Sequence, residues 1–169
     1  MAKFIEKESF KHKLAKQLLA SWLRDLDKTQ DGCSISPISW RSNYGVFEEL
    51  KFHETDDPYY FEMSEGLINW EIRKGLDLNS LPQTNTDWFM QDFNRGKILF
   101  VPDITVFHKG SATILIEILH KHCVPDEKLE VINTFFKGYY TTLFEIRAED
   151  ILSLTEIPSK IKIFRTIEF

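Results

Sequence analysis

The sequence predicts one domain of the α/β class, an α/β sandwich (α+β) with the order helix, strand, insertion, strand, strand, helix, strand. Three observations predict it. An apolar stripe of helical spacing opens the chain, with Phe10, Leu14, Leu18, Trp22 and Leu26 recurring every four positions. A short polar turn, His108 to Ser111, separates two apolar runs, and the second of them, Ala112 to His120, is almost wholly apolar, as a central strand covered on both faces should be. A helix opened by Pro125 then stands between that strand and the next, Thr141 to Arg147, the spacing of a crossover to a parallel neighbour. With 169 residues, the prior is a single domain with enough buried surface to need no disulfide or metal staple.

Residues 6–28 form the leading helix. Asp27 to Ser42 reads as a loop, with Asp31-Gly32 and Ser36-Pro37 as turn signals. Tyr44 to His53 alternates as a strand, placing Tyr44, Val46, Glu48, Leu50 and Phe52 on one face. Residues 55–96 lack clear periodicity, with short helices near 63–74 and 86–93. A tract this long inside a compact domain is an insertion with a job, such as a lid or a docking surface. Lys97 to Phe107 is a strand, with Asp103 near its middle. Residues 125–136 form a helix, with Asp126 and Glu127 in the first turn and Leu129, Ile132 and Phe136 as its apolar stripe. Ile161 to Ile167 ends the chain as an edge strand, its lysines and arginine guarding the open edge.

Charge and composition narrow the function classes. There are 26 acidic and 21 basic residues, a formal net charge of −5, so a surface uniformly basic for nucleic acid is excluded while a local basic patch is not. No run of 18 apolar residues offers a membrane span, and Met1 to Glu8 has no apolar signal core. The expected compartment is the cytoplasm, where Cys33 and Cys123 are expected as free thiols. The 14 Phe, 5 Tyr and 4 Trp are enough to line a groove or a subunit contact, and the aromatic-rich insertion is the candidate surface for a homodimer or a protein partner.

The chemistry-bearing residues are acidic. A three-residue loop, Lys109 to Ser111, sets Asp103 opposite Glu117 on adjacent strands, with ~4.5–5.5 Å between Cβ atoms. A loop one residue longer or shorter separates them onto opposite faces. Two carboxylates so close require a shared proton or an intervening cation, and hard oxygen donors suit Mg²⁺ or Mn²⁺. Glu48, flanked by Val46 and Leu50 on the apolar face of its strand, needs a partner and is placed to reach the same cation. Glu49 takes its place if the register shifts by one. Against this stands the plainer reading, in which strand carboxylates pair with Lys or Arg.

At these residues the chain resembles the competence protein CoiA-like family, a branch of the PD-(D/E)xK nucleases. Three stretches carry the resemblance. Glu8 to Lys16 is similar to the family's helix opening of Glu-Ser followed by His12 and Lys16. Pro102-Asp103-Ile104 is like its strand bearing the metal-binding aspartate. Ile116-Glu117-Ile118-Leu119-His120, with the loop and helix that follow, resembles its Glu-x-Gln strand. The resemblance implies a core of order α-β-β-β-α-β, with Asp103 and Glu117 as metal ligands and the Ile118 carbonyl as a further one. It implies DNA as the partner and competence-linked DNA processing as the setting; recombination and defence suit the same residues. Two departures stand out. Leu119 occupies the position normally held by Lys or Gln, and two cysteines cannot build the zinc-binding front end of longer relatives. Lys16 from the helix, or Lys121 two residues beyond Leu119 if the strand continues, is expected to replace the missing polar group.

Glu8, His12 and Lys16 are spaced i, i+4, i+8 and share a helix face. They offer a carboxylate for the metal or a base, a phosphate contact and a charge stabiliser, or else a solvated polar ladder. His120 and Lys121 are candidate phosphate contacts in the loop before the second helix; His120, His122 and Cys123 as zinc ligands lack a fourth partner. Lys160, Lys162 and Arg165 form either a basic stripe for DNA or edge protection. Trp88, Phe89 and Phe93 belong to the core of the insertion. The leading functional expectation is a Mg²⁺-dependent nuclease that hydrolyses phosphodiester bonds in DNA, with Asp103, Glu117, Glu48, Lys16 and Lys121 as the catalytic set. The alternative is a catalytically silent nuclease fold that binds DNA or a protein. A third reading, an interaction protein without ancestral chemistry, expects Asp103 and Glu117 to be far apart or salt-bridged.

Overall fold

The structure, a computed structural model, describes residues 9–27, 33–40, 46–54, 97–107 and 113–169. The insertion at 55–96, with its two expected helices and Trp88, Phe89 and Phe93, lies outside the described residues, as does Glu8.

The described chain is a mixed α/β fold. Helix α1 (Phe10–Asp27) leads, followed by β1 (Cys33–Ile35), β2 (Ile38–Trp40), β3 (Val46–Glu48), β4 (Phe52–His53), β5 (Ile98–Phe100), β6 (Ile104–Phe107) and β7 (Thr113–Leu119). Then come α2 (Asp126–Phe135), β8 (Thr141–Arg147), α3 (Ala148–Leu152) and β9 (Arg165–Glu168). Strands β3-β6-β7-β8-β9 make a five-stranded sheet in that order, while β1-β2 and β4-β5 are separate two-stranded ladders. In the main sheet β7 and β8 are parallel neighbours and the other pairings are antiparallel. The expected crossover through a helix to a parallel strand is therefore present, and β9 closes the sheet as an edge.

Burial alternates along the strands as the pleat requires. Ile114, Ile116 and Ile118 of β7 and Phe144 and Ile146 of β8 join Ala15, Leu19 and Leu23 of α1 and Ile151 of α3 in one core. Leu115 and Leu143 point the other way, into a second core with Phe52, Phe100, Ile132 and Phe136. Phe52 and Phe100 stack at 4.6 Å, and Phe135 and Phe136 of the α2 end meet their edges. Helices thus cover both faces of the sheet.

Four expectations about elements are corrected. The apolar stripe of α1 is buried only in its second half: Trp22 is in the core and Leu18 and Leu26 pack against it, whereas Phe10 is 79% exposed and Leu14 is also exposed. A four-residue step overshoots a 3.6-residue turn by about 40°, so a strict i+4 row spirals off the face it starts on. The buried face is Ala15, Leu19, Ala20, Trp22 and Leu23, and Lys16 lies on it. Within the expected loop at 27–42, residues 33–40 form the hairpin β1–β2, turning at the cis Ser36-Pro37 bond and tied to the C-terminal segment by Ser36 N–H to Ser159 O and Ile161 N–H to Ser36 O, both 2.9 Å. The expected strand 44–53 is split into β3 and β4, and 97–107 into β5 and β6.

Both splits have one cause. Val46 pairs with Val106, Glu48 with Ile104 and Phe52 with Phe100, and between them Glu49 N–H donates to Asp103 O at 3.1 Å. The two chains keep one register through the gap, but the ladder is kinked there. On one side Pro102 has no N–H to give; on the other Glu49 has φ of 52°, left-handed backbone that rarely suits a residue with a side chain. Asp103 therefore sits at a kink just before β6 and not in mid-strand. The fourth correction is α3, which was not expected.

Candidate functional site

The kink is where the acidic residues gather. Ile104 faces Ile116 in the β6–β7 ladder, the register that the expected loop Lys109 to Ser111 requires. Continued by one residue, it sets Asp103 opposite Glu117. Each carboxylate is engaged. Asp103 Oδ2 accepts the Ile118 backbone N–H at 2.7 Å, and Oδ1 lies 3.0 Å from His12 Nε2. A carboxylate oxygen accepts, so this contact puts a ring proton on Nε2. Glu117 Oε1 accepts from Lys128 Nζ at 2.6 Å, and the same ammonium donates to the Val101 carbonyl at 3.0 Å.

Glu117 holds its proton far more tightly than an ordinary glutamate. Burial leaves its side chain only 11% exposed and pushes its pKa up to about 7; the neighbouring Asp103 pushes the same way, while Lys128 and His12 pull back. The loss of hydration on burial outweighs the two bases beside the pair. A divalent cation beside Glu117 would favour its charged form, and the two carboxylates are of the donor type that one takes. The two carboxylates offer hard oxygens side by side, from the kink before β6 and from β7. Among the described residues no group of three or more His, Cys, Asp and Glu side chains stands placed to hold a metal. Two carboxylates, completed by water and substrate phosphate, are a usual protein share for Mg²⁺.

The remaining candidates are placed as follows. Glu48 as a third carboxylate ligand is corrected: Glu48 Oε1 accepts from Arg24 Nη1 at 2.8 Å, so its partner is an arginine of α1, and it does not join Asp103 and Glu117 in a three-ligand group. Glu49 does come to the kink, where its backbone bonds Asp103 and its Oε1 accepts from Lys16 Nζ at 2.5 Å. Lys16, 4% exposed in its side chain, thus faces Glu49. His12 and Lys16 share a face of α1, as their spacing predicts, and engage Asp103 and Glu49 respectively. Lys121 as a cation on Glu117's face is corrected, because β7 ends at Leu119 and the alternation that placed it there ends too. His120, Lys121, His122 and Cys123 are exposed beyond the strand. Arg165 as part of a DNA-facing stripe is corrected as well: it ion-pairs with Glu145, while Lys160 and Lys162 are exposed.

Two features escaped sequence reasoning. Lys128 is the first. It precedes Ile132, the buried anchor of α2, by four residues and so lies on the same helix face; that spacing was the available signal. The second is Glu145, fully buried directly beside Glu117 in the parallel ladder. It accepts the Val124 N–H at 2.6 Å and a two-pronged contact from Arg165, which also donates to the Val124 carbonyl at 3.3 Å. Val124 lies in the segment between β7 and α2, so this pair fixes the approach of α2 and with it Lys128.

Comparison with protein-family models, with curated proteins and with solved structures gives no match. Among the described residues no helix is long and apolar enough to cross a membrane.

Proposed function

We propose that the protein is a metal-dependent nuclease acting on DNA. The observation that carries this reading is the Asp103–Glu117 pair, set side by side by the kink before β6 and by β7, with Glu117 buried and its pKa raised, and lysine and histidine side chains converging on the pair. Asp103 and Glu117 are the residues to hold Mg²⁺ or Mn²⁺, with the Ile118 carbonyl beside them. When bound, the metal polarises a phosphoryl oxygen and lowers the pKa of a bound water. The Ile118 N–H fixes the Asp103 carboxylate. Lys128 supplies, from α2, the cation that Leu119 cannot, next to where negative charge develops on the phosphorus oxygens. Lys16 and Glu49 hold the kinked backbone beside Asp103.

The test is cleavage of single- and double-stranded DNA with Mg²⁺ or Mn²⁺. Asp103→Ala and Glu117→Ala abolish it, and Lys128→Met lowers it by about 10²-fold or more. Cleavage surviving at wild-type rate in both alanine variants overturns the assignment.

A second reading, a silent fold acting as a DNA- or protein-binding module, has its own observation. Both carboxylates are already neighboured by bases, His12 at 3.0 Å and Lys128 at 2.6 Å, the salt-bridged arrangement that an interaction protein without ancestral chemistry also expects. Absence of cleavage together with absence of Mn²⁺ binding in the wild type selects that reading.

A further inference from the structure

Beyond the acidic pair, the carboxyl ends of the two parallel strands open into a cleft of about 240 Å³, lined by Leu119, His120, Lys121, His122, Arg147 and Phe164, with Cys123 and Glu149 at it as well. Three features give this cleft a ligand chemistry. First, its charge is inverted relative to the chain. Lys121 and Arg147 meet one carboxylate, Glu149, with two imidazoles beside them, in a protein of net charge −5. Second, one cation is pre-positioned. The Arg147 guanidinium lies 4.6 Å above the Phe164 ring, an arrangement that restrains a planar donor fork matched to phosphate geometry. Third, the location is where open α/β sheets take ligands, outside the carboxyl ends of parallel strands, since Leu119 and Arg147 are the paired last residues of β7 and β8.

Size selects among anions. The cleft is below the roughly 300–1,000 Å³ of pockets that enclose a drug-sized ligand, so it suits a phosphate group and leaves the attached sugar and base outside. Position then selects the source. Leu119 is two residues past Glu117 on the same strand, about 6.6 Å away at the rise of a strand, and two stacked nucleotides advance about 6.8 Å. We propose that this cleft is a backbone-phosphate subsite, in which Arg147 and Lys121 hold a nucleic-acid phosphate about two nucleotides from the one presented to Asp103 and Glu117. The spacing rests on the nuclease reading; the binding of a nucleic-acid phosphate by the cleft does not.

The experiment measures binding of a fluorescein-labelled single-stranded oligodeoxynucleotide of about 12 nucleotides by anisotropy, in EDTA so that no cleavage occurs, across a range of salt. Arg147→Gln/Lys121→Gln is compared with wild type and with Lys160→Gln/Lys162→Gln, which removes the same charge elsewhere on the exposed surface. The cleft variant is expected to bind at least tenfold more weakly, with a salt slope shallower by about 0.7, since one phosphate contact on a single strand contributes about that much. Arg147→Lys keeps the slope and loses part of the affinity. All four side chains are exposed, so the variants fold, and thermal unfolding verifies it.

Unchanged affinity and slope in the cleft variant overturn the proposal. So does an equal loss in the Lys160/Lys162 variant, which makes the effect one of overall charge. Inorganic phosphate separates the sources. If phosphate binds the wild type and needs Arg147, while oligonucleotide binding does not, the cleft takes a free anion and the backbone assignment falls. Cleavage is scored separately. Cleft-dependent binding without metal-dependent cleavage keeps this subsite and removes the nuclease reading; cleavage lost in Asp103→Ala with binding indifferent to Arg147 does the reverse.

Discussion

Glu117 has a folded-state pKa of about 7 against an unfolded value of 4.5, and this has a sign that solution work can read. A carboxyl group with a raised folded pKa favours the folded state while protonated. Its contribution is complete below the unfolded pKa and is lost as pH rises toward the folded one. Between pH 5.5 and 8 the wild type should therefore lose about 2 kcal/mol through this group. Urea unfolding at the two pH values checks it, beside Glu117→Gln, whose side chain does not titrate and which should lose correspondingly less. Equal pH dependence in the two proteins removes Glu117 as the titrating group. Sequence made this residue conspicuous, a lone acid in the most apolar stretch of the chain. It left Lys128 hidden, because a lysine near the start of a helix looks solvated until the helix is docked with that face inward. Glu48 misled for the converse reason. Its apolar flanks announced a need for a partner, but nothing in one strand says that the partner is Arg24 of a helix packed across it.

The elements that carry the site were legible where two signals agreed. For β7, α2 and β8, composition, turn chemistry and helix-start residues all pointed the same way, and the β6–β7 register is the one that a three-residue turn at 109–111, outside the described residues, would set. Legibility failed at the kink and beyond the last strand, where long-range contacts decide. Alternation through Glu48, Glu49 and Leu50 looked continuous, while the left-handed φ of Glu49 follows from pairing with a partner segment interrupted at Pro102. The Glu145–Arg165 pair is another tertiary feature, joining β8, β9 and the segment before α2. Removing the half-buried Arg165 strands Glu145, which is fully buried. Arg165→Met should cost about 3–5 kcal/mol, while Glu145→Met/Arg165→Met recovers most of that loss. A double-mutant cycle by chemical denaturation measures the difference; additive single losses mean that the two residues do not act as a pair. If the proposed nuclease reading holds, a surviving Arg165→Met protein should also lose part of the cleavage that depends on Lys128, because Arg165 no longer anchors Val124 and the approach of α2.

At the scale of the whole molecule, the sheet brings its chemistry to one end. Asp103 at the start of β6, Glu117 toward the close of β7, and the loop after it lie together because β6 runs antiparallel to β7. His12 and Lys16 reach the kink from the α1 side of the sheet, and Lys128 reaches Glu117 from the α2 side. A buried carboxylate pair held by both helical layers should couple to global stability. A cation that binds the folded state alone stabilises it by RT ln(1 + [L]/Kd), about 2.7 kcal/mol at a hundredfold excess over Kd. Because the ligand form of Glu117 is deprotonated, protons compete with the metal, and the gain should be larger at pH 8 than at pH 5.5. The expected result is a Mn²⁺-dependent rise in the urea midpoint of the wild type at pH 8, smaller at pH 5.5 and absent from Asp103→Ala/Glu117→Ala. The pH trend is what makes the measurement specific to this pair. Manganese held by scattered surface carboxylates would survive the double substitution, and its affinity would change little across this range, since ordinary carboxylates are ionised at both pH values. A stabilisation that ignores the double substitution would place the cation elsewhere and leave Asp103 and Glu117 as two ion-paired acids, each neutralised by its own base.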